Sequence, residues 1–105
     1  MRDFEPVLPS TLKNWLAAKA TLIIDVREPT EYEKGHIPGA FLLSTSRFNI
    51  GNFPRVQGLK TVLVSDQGIR ALAIAERLMK ESFPDIYILA SGMAGWCAAG
   101  FELEE

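Results

Sequence analysis

The residues able to do covalent or acid–base chemistry in this chain are few, and their neighbours limit what each can do. Cysteine occurs once, as Cys97, and histidine once, as His36. Ser65 opens a polar, glycine-containing run, Ser65-Asp66-Gln67-Gly68-Ile69-Arg70, wedged between the apolar stretch Thr61 to Val64 and an amphipathic segment. A tight turn from a buried strand into a helix start aims consecutive backbone N–H groups at one point, and the helix dipole adds about half a positive charge there. Such a turn is a cradle for a small anion. Gly68 opens backbone conformations closed to other residues, and Arg70 brings a full positive charge to the rim. Asp66 works against it: its charge cancels most of the rough +1.5 from dipole and arginine, leaving about +0.5 unless its side chain points away. The alternative is a glycine-containing connection that binds nothing.

Ser65, His36 and Asp25 together have the residue types of a hydrolytic triad. In a right-handed βαβ unit, strand-to-helix turns lie at the carboxyl edge of the sheet and helix-to-strand turns at the opposite edge. Asp25 to Pro29, Ser65 to Arg70 and Ser91 to Ala94 share the carboxyl edge, where open α/β sheets bind ligands, whereas His36 falls on a helix-to-strand turn. That separates histidine from serine by roughly 15 Å for strands of five or six residues. His36 is therefore expected to be a turn residue satisfied by nearby backbone groups. Asp25 and Arg27 end a strand at the functional edge, where each contacts the loop or a ligand, or the two pair locally; Glu31 is placed to pair with Arg27 across the start of a short helix. Cys97 lies about 7 to 8 Å into the final helix, next to Trp96, and reads as an ordinary small helical residue. One cysteine makes no internal disulfide, and one histidine with one cysteine makes no structural zinc site, so no metal or cofactor is expected.

The elements that must position these residues alternate. Phe4 to Leu8 reads as a short extended piece, followed by a helix capped by Ser10 with Leu12, Trp15 and Leu16 on one face. Thr21 to Val26 is a continuous branched apolar run, suited to a strand buried on both faces. Pro29 and Gly35 bracket a helix of two turns at most. A turn at His36 to Gly39 leads to a strand near Ala40 to Leu43, and Ser44 to Gly58 reads as a surface loop with one helical turn around Ser46 to Phe48. Thr61 to Val64 is a second buried strand. Ala71, Ile74, Ala75, Leu78 and Met79 then form the clearest helical stripe in the sequence. Asp85 to Ala90 is the last strand, and Ser91 begins a helix ending near Gly100. Strands alternating with helices imply a mostly parallel sheet covered on both faces.

Length and composition bound the function. The 105 residues suit one domain, 48% are apolar and 23% charged, and the formal net charge of −2 comes without a basic cluster, which removes the electrostatic basis for nucleic-acid binding. The apolar runs fall well short of the roughly 18 to 20 residues of a membrane span. Asp3 and Glu5 sit where an export signal needs basic and apolar residues, so a soluble cytoplasmic domain is expected.

Asp25-Val26-Arg27-Glu28-Pro29-Thr30-Glu31-Tyr32 followed by Gly35-His36-Ile37-Pro38-Gly39-Ala40 resembles the DVR…EY…GHIPGA signature of single-domain rhodanese-like proteins. Val62-Leu63-Val64-Ser65 with Gly68 and Arg70 is similar to that family's active loop, and Ser91 to Trp96 with Gly100-Phe101 to its closing segment, with Ser91 in place of a first glycine. The resemblance covers essentially the whole chain. It implies an α/β fold with a five-stranded, mainly parallel sheet, helices on both faces, and the active loop between the fourth strand and its helix. In catalytic members the loop reads C-x-x-G-x-R, and its thiolate takes a sulfane sulfur from thiosulfate or another donor and passes it to cyanide or a thiol. Here that position is Ser65, and a serine hydroxyl does not store sulfur as a persulfide. The resemblance therefore implies a loop, Ser65 with Asp66, Gln67, Gly68, Ile69 and Arg70, that binds a small thiosulfate-like anion or a protein thiol or peptide without turnover. Asp25 and Arg27 stand in support. The alternative is a thiosulfate or persulfide sulfurtransferase whose loop cysteine has been exchanged for Ser65.

Overall fold

The computed structural model describes residues 5–49, 51, 53–54, 58–81, 83 and 86–105. In chain order these form β1 (Glu5–Val7), α1 (Pro9–Ala17), β2 (Thr21–Asp25), α2 (Pro29–Lys34), β3 (Phe41–Leu42), a 3-10 turn (Thr45–Arg47), β4 (Lys60–Val64), α3 (Ile69–Lys80), β5 (Ile86–Leu89) and α4 (Gly92–Ala98). The five strands pair in the order β1-β5-β4-β2-β3, every pair parallel. This is the mainly parallel, doubly covered sheet expected from alternating elements.

Burial on both faces follows from the pleat, which sends successive side chains to opposite sides. Ile24, Leu63, Ile86 and Ile88 face one side, against Ala71, Ile74, Ala75 and Leu78 of α3. Ile23, Val62, Val64 and Leu89 face the other, against Leu12 of α1 and Met93 and Trp96 of α4. Because both faces are packed, the strands carry unbroken apolar runs rather than alternating ones. Among the described residues no helix is long and apolar enough to cross a membrane.

Three local expectations change. Leu8, not Ser10, is the N-cap of α1; Pro9, with its fixed φ and no N–H to satisfy, starts the helix two residues early and leaves Ser10 inside the first turn. The helical turn after β3 spans Thr45–Arg47. The Ser44 to Gly58 stretch is also not wholly superficial: Phe53 is buried at 5% exposure and meets Phe83 edge-on at 5.5 Å. Phe4 and Asp85, expected as strand residues, lie outside the described residues.

Candidate functional site

β4 ends at Val64 and α3 begins at Ile69, so Ser65 to Gly68 make the whole connection. Ser65 is 1% exposed, and its Oγ accepts the N–H groups of Gly68 (3.1 Å) and Ala71 (3.2 Å). The hydroxyl thus sits at the convergence of helix-start amides. Gly68 takes φ +95°, the left-handed region for which glycine has no steric penalty. The N–H groups of Asp66, Gln67, Ile69 and Arg70 meet no acceptor among the described residues, as expected where a helix begins without enough capping groups.

The start of α4 fixes the loop from behind. Met93 N–H donates to the Ser65 carbonyl at 2.8 Å and Ala94 N–H to the Asp66 carbonyl at 3.1 Å. In a trans peptide the N–H points opposite the C=O, so holding these two carbonyls toward α4 turns the Asp66 and Gln67 amides away from it. The close approach depends on Gly92, which takes φ +53°; a Cβ there would run into the Ser65 carbonyl oxygen and lie 2.6 Å from that of Asp66. Ser91 before it is also left-handed, at φ +61°, although it has a side chain.

Charge around the loop is arranged in pairs. Asp25 and Arg27 are both buried: Arg27 donates from Nε to both carboxylate oxygens (3.0 and 3.1 Å), from Nη2 to Oδ2 (2.9 Å) and from its backbone N–H to Oδ1 (3.0 Å). Burial works against the guanidinium charge, but the hydrogen bond and charge of Asp25 more than offset it and raise the Arg27 pKa. Arg27 Nη2 also donates to the Gly35 carbonyl at 2.8 Å. Arg70 Nη2 contacts both Glu31 oxygens at 3.2 Å and Asp66 Oδ2 at 3.1 Å, and Arg27 Nη1 lies 3.8 Å from Asp66 Oδ1. Glu31 therefore pairs with Arg70 rather than with Arg27, whose forked face is already taken by Asp25.

Two carboxylates sharing one arginine titrate apart. The Glu28 backbone N–H, helped by Arg70, holds Glu31 at about 2, while partial burial and the neighbouring Glu31 raise Asp66. Asp66 does not point away from the loop, and Arg70 is not a free charge at its rim. Arg27, Lys34 and Arg70 face Asp25, Glu31 and Asp66, so the formal charges cancel.

Two concavities meet at Asp66 and Gln67. A recess of about 270 Å³ is lined by Ser65, Ile69 and Arg70 as well. A cleft of about 440 Å³ runs past Arg27, Glu31, Lys34 and Gly35 to Met93, Ala94 and Cys97. Cys97 is thus exposed in the cleft beside the loop, which the reading as an ordinary helical residue missed. The signal was present in the sequence: Cys97 follows Met93 by four residues and Ala94 by three, and so shares their face of α4.

The hydrolytic triad does not form, but its geometry differs from expectation. The turn after α2 begins at the carboxyl edge, since Gly35 reaches Arg27 and lines the cleft; six residues of helix are about 9 Å, too short to descend a five-residue strand. His36, next along, is buried, with Nδ1 2.9 Å from the Tyr32 carbonyl, Nε2 3.5 Å from Glu104 and its ring stacked on Tyr32. Asp25 is occupied by Arg27. Among the described residues no group of three His, Cys, Asp or Glu side chains is placed to hold a metal ion.

The family model described as "Rhodanese-like domain" matches residues 8–99. The chain belongs to the rhodanese-like family. It is 33% identical over 86 residues to thiosulfate sulfurtransferase GlpE of Pseudoalteromonas translucida, covering 80% of this chain and 80% of that protein. It is 32% identical over 94 residues to an uncharacterized protein of Synechocystis, covering 90% of this chain but only 52% of the relative, so the chain spans about half the length of that curated protein. Among solved structures, a rhodanese-related protein from Thermoplasma volcanium aligns with a TM-score of 0.80 at 22% identity, covering 96% of this chain and 98% of the other. That likeness concerns the fold.

Proposed function

We propose that this rhodanese-like domain is a recognition module: it holds a ligand at the Ser65 to Arg70 loop and does not transfer sulfur. The observation that carries the reading is Ser65, buried at the focus of the Gly68 and Ala71 amides, where the family resemblance puts the sulfur-accepting cysteine. In the family reaction a thiolate attacks the outer sulfur of thiosulfate, the S–S bond breaks, sulfite leaves with the bonding pair, and cyanide or a thiol then removes the sulfur from the resulting persulfide. A hydroxyl at that position has neither the acidity nor the reversible sulfur bond, and no side-chain base among the described residues lies within hydrogen-bonding distance of its oxygen. What the loop retains is binding capacity. The unpaired amides of Asp66, Gln67, Ile69 and Arg70 suit a small thiosulfate-like or sulfate-like anion, or a protein thiol or peptide seated in the recess. Asp25 anchors Arg27 beneath it. The same proposal places the domain in the cytoplasm, where the exposed Cys97 thiol and any thiol partner stay reduced.

A second reading has its own support. The GlpE relative, named a thiosulfate sulfurtransferase, matches four fifths of both chains, so the scaffold fits an enzyme whose loop cysteine has been exchanged for Ser65. Thiocyanate production from thiosulfate and cyanide, measured for this chain and for Ser65→Cys, separates the readings. The expected result is no turnover above the uncatalysed rate for the serine chain. Turnover appearing with Ser65→Cys favours the exchanged-enzyme reading, silence in both favours a dedicated recognition module, and turnover by the serine chain overturns the chemistry.

A further inference from the structure

Resting on the reading of the β4–α3 loop as a ligand site, we propose that Asp66 determines the charge of the ligand that this loop accepts. Its carboxylate is the resident counter-anion of Arg27 and Arg70, so the site binds small dianions more weakly than its amides alone would and favours ligands without net negative charge. The placement of the side chain carries the argument. Asp66 is half exposed, at 52%, and could lie in water at little cost, yet Oδ2 is 3.1 Å from Arg70 Nη2 and Oδ1 is 3.8 Å from Arg27 Nη1. The Ala94 N–H on its carbonyl holds the backbone that carries the carboxylate beside the two guanidinium groups. Each arginine has a further carboxylate partner, Asp25 for Arg27 and Glu31 for Arg70.

A dianion approaching the unpaired amides of Gln67, Ile69 and Arg70 therefore meets neutralised arginines and a carboxylate at the junction of recess and cleft. With Arg27, Lys34 and Arg70 balanced by Asp25, Glu31 and Asp66, removing the Asp66 charge alone leaves the surroundings at +1. The rim also offers apolar surface, as a ligand that is not a hydrated inorganic ion would use: Ile69, 73% exposed, lines the recess, and Leu72 (39%) follows it by three residues on the first turn of α3.

The test follows backbone amide shifts of Gln67, Gly68, Ile69 and Arg70 by NMR during titrations at constant ionic strength. The probes are thiosulfate, sulfate and the uncharged thiol N-acetylcysteine amide; the proteins are the parent chain, Asp66→Asn and Asp66→Ala. Removing one charge about 6 Å from a dianion in a half-solvated site is expected to tighten thiosulfate and sulfate about tenfold in both variants, with the uncharged thiol changing less than twofold. The gain should shrink as salt is raised. The same spectra report that the variants are folded. Equal dianion affinity in parent and variants, with shifts at the loop, overturns the role of Asp66 and leaves the loop a ligand site. Absence of loop shifts with every probe in every protein overturns the ligand-site reading as well.

Discussion

Replacing Gly92 by alanine tests whether the closing helix positions the loop through direct backbone contact. Two effects combine at this position. A side chain at φ +53° costs about 1 to 2 kcal/mol through its own backbone. The added Cβ also collides with the Ser65 carbonyl oxygen and approaches the Asp66 oxygen to 2.6 Å and its carbonyl carbon to 2.7 Å, all three backbone atoms that no rotamer change can move. Relief requires the loop and the start of α4 to part, which stretches the Met93 to Ser65 and Ala94 to Asp66 hydrogen bonds, each contributing about 1 kcal/mol. The expected loss is about 4 kcal/mol, a large share of the roughly 5 to 15 kcal/mol available to a domain of this kind. Gly100 supplies the control: its φ is +81°, but a methyl group added there would meet no atom within 4 Å, so Gly100→Ala should cost only the conformational part, about 1 kcal/mol. Urea unfolding of both variants and the parent gives the comparison, and thermal midpoints should differ between the variants by about 12 °C or more. If Gly92→Ala loses no more stability than Gly100→Ala, the loop is not held by that contact and the account of its amide orientation is wrong.

Other consequences follow from neighbouring residues. Ser91, left-handed at φ +61°, should be improved by Ser91→Gly, with a gain of about 1 kcal/mol in urea unfolding; an unchanged midpoint would mean its side chain compensates for the strain. Arg27→Met leaves the Asp25 carboxylate buried without its partner and should cost about 3 to 5 kcal/mol, whereas a loss under about 1 kcal/mol would show that the site admits water. Glu31, held at about 2 in the folded chain against 4.5, contributes stability that is complete above pH 4.5 and lost as the pH falls toward 2. The advantage of the parent over Glu31→Gln should therefore be constant from pH 5 to 7 and shrink below 4.5; Asp66, whose pKa is raised, runs the other way, its contribution present at low pH and lost as the pH rises through its folded value. Cys97, exposed in the cleft, should react with a water-soluble disulfide reagent in the native state, and protection until unfolding would contradict its placement.

What the sequence made legible was periodic or punctuated. The runs Thr21 to Val26 and Thr61 to Val64 and the stripe Ala71, Ile74, Ala75, Leu78 specify buried strands and a one-faced helix, because burial on two sides or one leaves different patterns. The loop at Ser65 was legible for the same reason: a polar, glycine-containing run between two strong elements has few conformations to choose from. The charge pairing was not. Glu31 and Arg70 are 39 residues apart, and that their side chains meet follows from β2 and β4 lying side by side, which sequence spacing does not encode. Asp66 could be counted as a charge but not aimed, since a side chain at a loop can turn toward solvent or toward an arginine. His36 shows the limit of a rule about sheet edges, because α2 is shorter than the strand it follows.

The identity of residue 65 and the geometry of its loop are separable. Apart from the Gly68 and Ala71 amides, which donate to the Ser65 oxygen, the loop is held by contacts that do not involve the side-chain atom at position 65: the Ser65 and Asp66 carbonyls are held by α4, Gly68 makes its turn through its own backbone freedom, and β4 is fixed between β2 and β5. The Ser65 oxygen uses two of the amides that converge there and leaves others open. A sulfur atom in its place would meet the same donors, which favour a negatively charged ligand or side chain, and so would be biased toward the thiolate. An oxygen receives the same bias but remains a hydroxyl at neutral pH. On the proposed reading, one atom at position 65 separates sulfur transfer from simple recognition on the same backbone, and the charge of Asp66, one residue further on, sets what approaches it.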